Sequence, residues 1–193
     1  MIDLDLLADT DRWHQHCEQL EKQSIPQIQT VWNGPLAINI DDLELSEQSH
    51  YEDRHGTGVL AEQEISPATA VLDRTVIDPA HPAHVQIRQV CGLSEARVAV
   101  NLQKPGNFIP AHCDKNRTFV KSIADRSSTL DWSDIQRFFY FFDDQAPGQF
   151  VQLGRTQIQW RAGDMIRWPY YLQHATANAS YQPRKMLTII GVR

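Results

Sequence analysis

The sequence predicts a mainly β protein, a sandwich or barrel, with helices in its first half. From residue 95 onward, apolar or aromatic segments recur about every ten residues, with turn-forming residues between them. The segment 97–103 also alternates strictly between two sets of side chains, as a half-buried strand does. Short strands at this spacing are typical of antiparallel sandwiches and barrels.

One helix is predicted near the start of the chain. Trp13, Cys17 and Leu20 recur at spacings of four and three residues, which places them on one helix face. Asp9 or Thr10 is available as the N-cap, and the helix must end before the proline at position 26. We expect this helix to pack against a sheet.

The next segments are less regular. Residues 36–40 alternate and predict a short strand, whereas the polar segment 41–58 favours a solvated connection, with a substrate lid as the alternative. His81 and His84 lie in a proline-interrupted turn, which does not suit a shared metal site. We expect exposed histidines, or caps of a helix over 83–91.

The clearest strands follow. In 97–103 one face carries Val98, Val100 and Leu102, and the other carries Ala99, Asn101 and Gln103, which could line a pocket. The segment Arg137–Phe142 is aromatic after its first residue, which favours a strand buried on both faces. Residues 116–134 are polar and variable in pattern, which predicts an excursion from the sheet.

Bulk properties limit the classes of function. The 193 residues fit a single domain, and a formal net charge of −6 without a Lys/Arg run makes a nucleic-acid partner unlikely. We expect no membrane span and no signal peptide, because no apolar run is long enough and the chain begins with acidic residues. Cys17, Cys91 and Cys113 are odd in number and lack a CxxC pair, which favours reduced thiols and a cytoplasmic protein.

A candidate metal site begins in the segment Pro110–Asp114. Residues two apart in an extended chain point the same way, so His112 and Asp114 can bind one ion while Cys113 points away. His174 would be the third ligand. Two imidazoles and one carboxylate suit non-haem Fe(II). A surface turn pair is the alternative for the His-x-Asp alone.

Several segments of the C-terminal half together resemble small 2-oxoglutarate/Fe(II)-dependent oxygenases of the short bacterial and phage type. They are Pro110–Asp114, the aromatic strand that begins at Arg137, Pro147–Gly148, Trp160–Asp164, and His174 through Arg184. The resemblance covers about the last hundred residues. It implies a double-stranded β-helix, a jelly-roll related to the cupins, over 93–193, with residues 1–92 supplying supporting helices and substrate-facing loops.

The same resemblance implies Fe(II), 2-oxoglutarate and O2 as cofactor and cosubstrates, with ascorbate in support. Arg184 takes the position of the arginine that binds the second carboxylate of 2-oxoglutarate. A Ser or Thr often follows two residues later, but Met186 stands there. Thr188, Asn101 and Tyr140 therefore become candidates for the missing polar contact.

The implied reaction couples decarboxylation of 2-oxoglutarate to hydrogen abstraction from a substrate C–H bond, with hydroxylation, desaturation or ring formation as outcomes. Halogenation is not expected, because related halogenases lack the carboxylate that Asp114 supplies. Candidate substrate contacts are Arg117, Arg137 and Trp168. The alternatives are a solvated loop arginine for Arg117, a cap of the sheet edge for Arg137 and packing in the sandwich for Trp168. We expect a small molecule such as an amino acid or biosynthetic intermediate, and a peptide stays open.

Two other classes compete with this interpretation. One is a cupin-type metalloenzyme that does not use 2-oxoglutarate, in which Arg184 would hold no cosubstrate. The other is a non-catalytic jelly-roll that binds a ligand without a metal. Metal analysis separates the second class from both enzymes.

Overall fold

The computed structural model describes residues 2–36, 38, 43, 45, 47–50, 60, 65–126 and 129–193. Within these ranges the helices are α1 (Leu4–Ala8), α2 (Thr10–Gln23), α3 (Pro82–Cys91) and α4 (Arg117–Ala124). The strands are β1 (Gln29–Asn33), β2 (Glu47–His50), β3 (Val71–Val76), β4 (Glu95–Gln103), β5 (Phe108–His112), β6 (Ile135–Phe141), β7 (Gln149–Leu153), β8 (Thr156–Gln157), β9 (Asp164–Pro169), β10 (His174–Asn178) and β11 (Arg184–Val192). The protein is therefore mainly β, as predicted.

The described strands form two antiparallel sheets that enclose a cavity. The large sheet has the order β1-β9-β6-β11-β4-β3-β2, and the small sheet has the order β5-β10-β7-β8. Side chains from both sheets line the cavity between them. This arrangement is the predicted double-stranded β-helix.

The register of the large sheet sets which side chains share the inner face. The last strand, β11, pairs with β4 on one side and with β6 on the other. Arg184 lies opposite Gln103 on β4, and Ile190 lies between Arg97 on β4 and Arg137 on β6. Because side chains alternate along a strand, these positions all face the small sheet.

The aromatic strand β6 is buried on both faces, as its composition predicts. Phe138 and Tyr140 pack in a cluster with residues of α3, whereas Phe139 and Phe141 pack in a cluster on the opposite face. The even and odd positions of β6 therefore serve different environments.

The predicted N-terminal helix is confirmed as α2. Asp9 caps it, since its Oδ1 accepts hydrogen bonds from the backbone amides of Asp11 and Arg12 at 3.0 and 3.1 Å. The segment 116–134 leaves the sheet as predicted, but it contains a helix that the sequence did not indicate. Its first half forms α4, which buries Val120 and Ile123 against the core.

Of the two histidines at the start of α3, the N-cap His81 fits the prediction and His84, inside the first turn, does not. His81 caps α3, because its Nδ1 accepts a hydrogen bond from the Ala83 amide at 3.2 Å. His84 is only 3% exposed, with its Nε2 at 3.1 Å from the carbonyl oxygen of Ala96. Of the predicted strand over 36–40 only residues 36 and 38 are described. Most of the polar segment 41–58 also lies outside the described residues, but its part Glu47–His50 forms the strand β2 and is not only a solvated connection.

The three cysteines are free thiols, and all three are buried. None of the helices in the described part of the chain is long and apolar enough to cross a membrane.

Candidate metal centre and its cavity

The three predicted metal ligands lie together at one end of the small sheet. His112 is the last residue of β5, and His174 is the first residue of the adjacent strand β10, directly opposite it in register. Asp114 follows β5 by two residues. The ligand atoms of the three side chains lie within 4.8 Å of one another.

Hydrogen bonds orient the first imidazole toward the carboxylate. The Nδ1 of His112 lies 2.8 Å from the carbonyl oxygen of Pro110, which fixes a proton on Nδ1. Its Nε2, at 3.2 Å from the Asp114 carboxylate, is left with a lone pair. The Nε2 of His174 lies 3.5 Å from the same carboxylate.

Electrostatics hold the group in the protonation state that a divalent cation needs. Burial would raise the pKa of Asp114, but Arg137 first, and then the two neighbouring histidines, hold it well below its ordinary value. Burial, reinforced by His112, lowers the pKa of His174 to about 3 although Asp114 opposes this. At neutral pH the site therefore offers a carboxylate and a neutral His174 imidazole.

The donor set fits a divalent first-row metal. Imidazole nitrogen with carboxylate oxygen suits Fe(II) and its neighbours, and no thiolate joins them. Cys113 is 1% exposed and its thiol points to the carbonyl oxygen of Tyr171 at 3.4 Å, so it lies away from the site as predicted. The Nδ1 of His174 has no hydrogen-bond partner among the described residues, so a metal at Nε2 would itself fix the ring proton.

A cavity of about 480 Å³ extends from this group along the inner face of the large sheet. Arg184 lines it and is 3% exposed. Its guanidinium donates to the carbonyl oxygen of Phe150 at 2.7 Å and to the side-chain oxygen of Gln103. Burial lowers the pKa of Arg184 to about 9, so it remains a cation at neutral pH.

The structure separates the three candidates for a polar contact near Arg184. Asn101 and Thr188 both line the cavity and bond to each other, with the amide of Asn101 donating to the hydroxyl of Thr188 at 2.9 Å. Tyr140, the third candidate, is not among the residues that line the cavity. Its hydroxyl lies on the other face of β6, where it accepts from the Leu36 amide at 3.1 Å and donates to the Gly34 carbonyl at 3.2 Å.

The three candidate substrate contacts also differ. Arg137 faces the cavity and binds Asp114, and Arg117 lies exposed at the cavity rim where α4 begins. Trp168 does not line the cavity. It is 1% exposed, and its ring supports Arg137 at 4.1 Å and His174 at 4.8 Å from behind.

Among the charged residues of the cavity wall, sequence reasoning missed Arg74, Arg97 and Lys115. It also missed that Gln103, which it placed on a possible pocket face, is the partner of Arg184. The alternation of β4 already places residue 97 on the face of Asn101, which is the signal that identifies Arg97. Arg74 lies on β3 opposite Asn101, a neighbour that only the sheet register reveals.

The chain has distant likenesses among solved structures. No protein-family model matches it, and no curated protein sequence matches it. It is similar to a cupin 2 conserved barrel domain protein from Salinispora arenicola (10% identity, 62% of this chain, 75% of that chain, TM-score 0.39). It is also similar to a protein with a double-stranded β-helix domain from Klebsiella pneumoniae (14% identity, 51% of this chain, 68% of that chain, TM-score 0.35). A third likeness is to EvdMO1 (13% identity, 62% of this chain, 35% of that chain, TM-score 0.43). These likenesses concern the fold, and the site's chemistry rests on its own residues.

Proposed function

We propose that the protein is an Fe(II)- and 2-oxoglutarate-dependent oxygenase that oxidises a small molecule by hydrogen abstraction. One observation carries the proposal: the triad His112, Asp114 and His174 opens into the same cavity as the buried cation Arg184. A two-histidine, one-carboxylate group leaves coordination positions for a cosubstrate, and a buried arginine suits a carboxylate. Fe(II) bound here would supply oxidation of a C–H bond, coupled to release of succinate and CO2.

The chain's own residues have distinct roles in this proposal. The Nε2 atoms of His112 and His174 and the carboxylate of Asp114 hold the metal, while Arg137 orients that carboxylate. Arg184 binds the distal carboxylate of 2-oxoglutarate through the donors that its protein partners leave over.

Apolar and polar side chains have different roles along the rest of the cavity wall. Phe139 and Met186 line the cavity between the triad and Arg184 and keep water from the reacting atoms. Asn101 and Thr188, already bonded to each other, can turn one donor or acceptor toward the cosubstrate.

A metalloenzyme without 2-oxoglutarate is favoured by one observation, the engagement of Arg184 by Gln103 and Phe150. In that case Arg184 would only brace the sheets. A guanidinium has five N–H donors, however, and the Nε of Arg184 has no hydrogen-bond partner among the described residues. Its charge is also buried without a carboxylate within salt-bridge distance in the described part of the chain, which an anionic cosubstrate would correct.

The test is succinate formation from 2-oxoglutarate with Fe(II) and ascorbate, screened across pools of amino acids and metabolites. We expect substrate-stimulated succinate in the wild type and none with Asp114→Ala. The matched control is Asp143→Ala, which removes an exposed carboxylate outside the cavity lining and should retain full activity.

An anaerobic titration separates the two metalloenzyme classes. Addition of 2-oxoglutarate to the Fe(II) protein should produce a weak visible charge-transfer band, and Arg184→Met should shift the titration to higher concentration. Metal binding without this band would favour the enzyme that does not use 2-oxoglutarate. No binding of Fe(II) or Mn(II) in excess would leave a non-catalytic jelly-roll.

A further inference from the structure

The cavity is strongly cationic in an acidic protein. Among the described residues that line it, six carry a positive side chain and one carries a carboxylate, although the whole chain has a formal charge of −6. The cations are Arg74, Arg97, Lys115, Arg117, Arg137 and Arg184, and the carboxylate is Asp114. A cavity of one sign focuses its field on ligands of the opposite sign.

Two of these arginines form a pair at the end of the cavity away from Arg184. Arg97 and Arg137 flank Ile190 from the neighbouring strands β4 and β6, in register. Two strand spacings separate their Cα atoms by about 10 Å, a gap that the long side chain of Arg97 can cross toward the guanidinium of Arg137, which Trp168 holds in place. Six residues along β11 separate Ile190 from Arg184, which corresponds to roughly 20 Å.

Arg137 is a buried cation whose hydrogen-bond donors are only partly used by the described residues. It is 4% exposed, and one terminal nitrogen binds Asp114 at 2.5 Å. Its Nε and its other terminal nitrogen are buried and have no hydrogen-bond partner among the described residues. Buried donors are normally satisfied, so these two call for an acceptor that a ligand would supply. Stacking on Trp168 fixes the plane of the guanidinium.

Arg97 is half-buried in the cavity wall. Its side chain forms no hydrogen bond or ion pair with any residue in the described part of the chain, unlike the nearby Arg126, which pairs with Glu95 at 2.5 Å. An arginine that faces a cavity without a protein carboxylate is suited to a ligand carboxylate or phosphate.

We infer that Arg97 and Arg137 bind an oxyanion of the substrate, so that the substrate is a small organic acid. This inference rests on the proposed function, because it assigns the substrate that binds in the same cavity as 2-oxoglutarate. Because Arg137 also touches Asp114, the anion is held close to the metal ligands. The oxidised C–H bond is therefore only a few bonds from the acid group. A cavity of about 480 Å³ admits such a short acid beside 2-oxoglutarate.

The inference is tested by binding, independently of turnover. Calorimetry with the Mn(II) protein, with and without 2-oxoglutarate, uses pairs that differ in the acid group alone: L-proline with L-prolinamide, L-leucine with L-leucinamide, and glycerol 3-phosphate with glycerol. We expect at least one member that carries the acid group to bind tenfold or more tightly than its partner without it. The pair with the larger difference in affinity shows whether the bound acid group is a carboxylate or a phosphate.

Variants then place the anion at the arginine pair. Arg97→Gln should weaken the preferred anion at least tenfold without changing binding of Mn(II) or 2-oxoglutarate, and Arg97→Lys should restore part of the affinity. Arg155→Gln, which removes an exposed charge outside the cavity, is the matched control. Circular dichroism checks that the variants fold. If Arg97→Gln does not fold, the inference is decided by the binding of the paired ligands to the wild-type protein.

The outcomes separate this inference from the oxygenase proposal. Equal binding of the partners with and without the acid group, or an Arg97→Gln protein that binds the acid as the wild type does, would overturn the inference even if succinate forms. Binding of an acid that depends on Arg97 while no succinate forms would uphold it and reject the oxygenase.

Discussion

Arg137 and Asp114 form an ion pair, with a terminal guanidinium nitrogen 2.5 Å from the carboxylate oxygen Oδ2. The pair joins β6 of the large sheet to the segment that follows β5 of the small sheet. The same carboxylate lies within 3.5 Å of both imidazoles. The ligand group is thus oriented by the fold itself, since its carboxylate has a fixed partner outside the metal site.

Replacing Arg137 with Met should destabilise the metal-free protein. Arg137 is almost fully buried and Asp114 is 19% exposed, so the variant leaves a largely buried carboxylate without its cation. We expect a loss of about 3 kcal/mol in the free energy of unfolding, measured by urea denaturation. The pKa of Asp114 should rise, because its largest favourable interaction is removed.

A variant of Arg167 gives the matched control for this measurement. Arg167 lies on the adjacent strand β9 and bonds through its guanidinium to the neutral side chain of Gln29 at 2.7 Å. Arg167→Met should cost less than about 1 kcal/mol. Equal losses in the two variants would show that Arg137 stabilises the sheet by packing and not through Asp114.

The sequence could predict the metal ligands because local rules bring them together. Period-two geometry aligns His112 with Asp114, and an antiparallel neighbour is enough to add His174. The face of β6 could not be predicted in the same way. Its residues are aromatic on both sides, so no polar alternation shows that Arg137 faces the cavity and Tyr140 faces away.

Other misses depend on contacts distant in sequence. Gln103 looks like an ordinary strand amide until the register of β4 and β11 places it opposite Arg184. The helix α4 has eight residues and buries only Val120 and Ile123, too few apolar positions to establish a period.

Arg184→Met should raise the KM for 2-oxoglutarate by roughly 30-fold or more, since a charge-assisted contact to a carboxylate contributes about 2 kcal/mol. Arg184→Lys keeps the charge but loses the planar fork and should give an intermediate value. Steady-state kinetics of succinate formation measures both. A purely bracing Arg184 would lower the melting temperature of both variants and leave this KM unchanged.

The stability of the metal-free protein should fall as the pH is lowered below the ordinary pKa of histidine. His174 has a folded-state pKa of about 3, whereas the unfolded chain binds a proton near 6.5. Between these values the unfolded state therefore holds more protons, and stability rises with pH. We expect this histidine to contribute a slope on the order of 1 kcal/mol per pH unit.

His174→Gln, which does not titrate, isolates that contribution. Urea unfolding at pH 5 and pH 7 should show a smaller pH dependence in the variant, whatever its absolute stability. His81→Gln is the comparison, because His81 caps α3 at the surface. Identical slopes in the wild type and His174→Gln would mean that His174 is protonated at pH 5 in the folded protein.

Gly148→Ala should destabilise the protein more than Gly106→Ala. Both glycines have a positive φ, +93° and +84°, so both variants strain the backbone. An added Cβ at Gly148 would meet the backbone carbonyl of Ala179 at 2.8 Å, whereas nothing lies within 4 Å at Gly106. Ala179 belongs to the turn that leads into β11 and Arg184, so the overlap cannot be relieved by one side chain. We expect a difference of roughly 1–3 kcal/mol by urea denaturation, and equal losses would show that this turn can move.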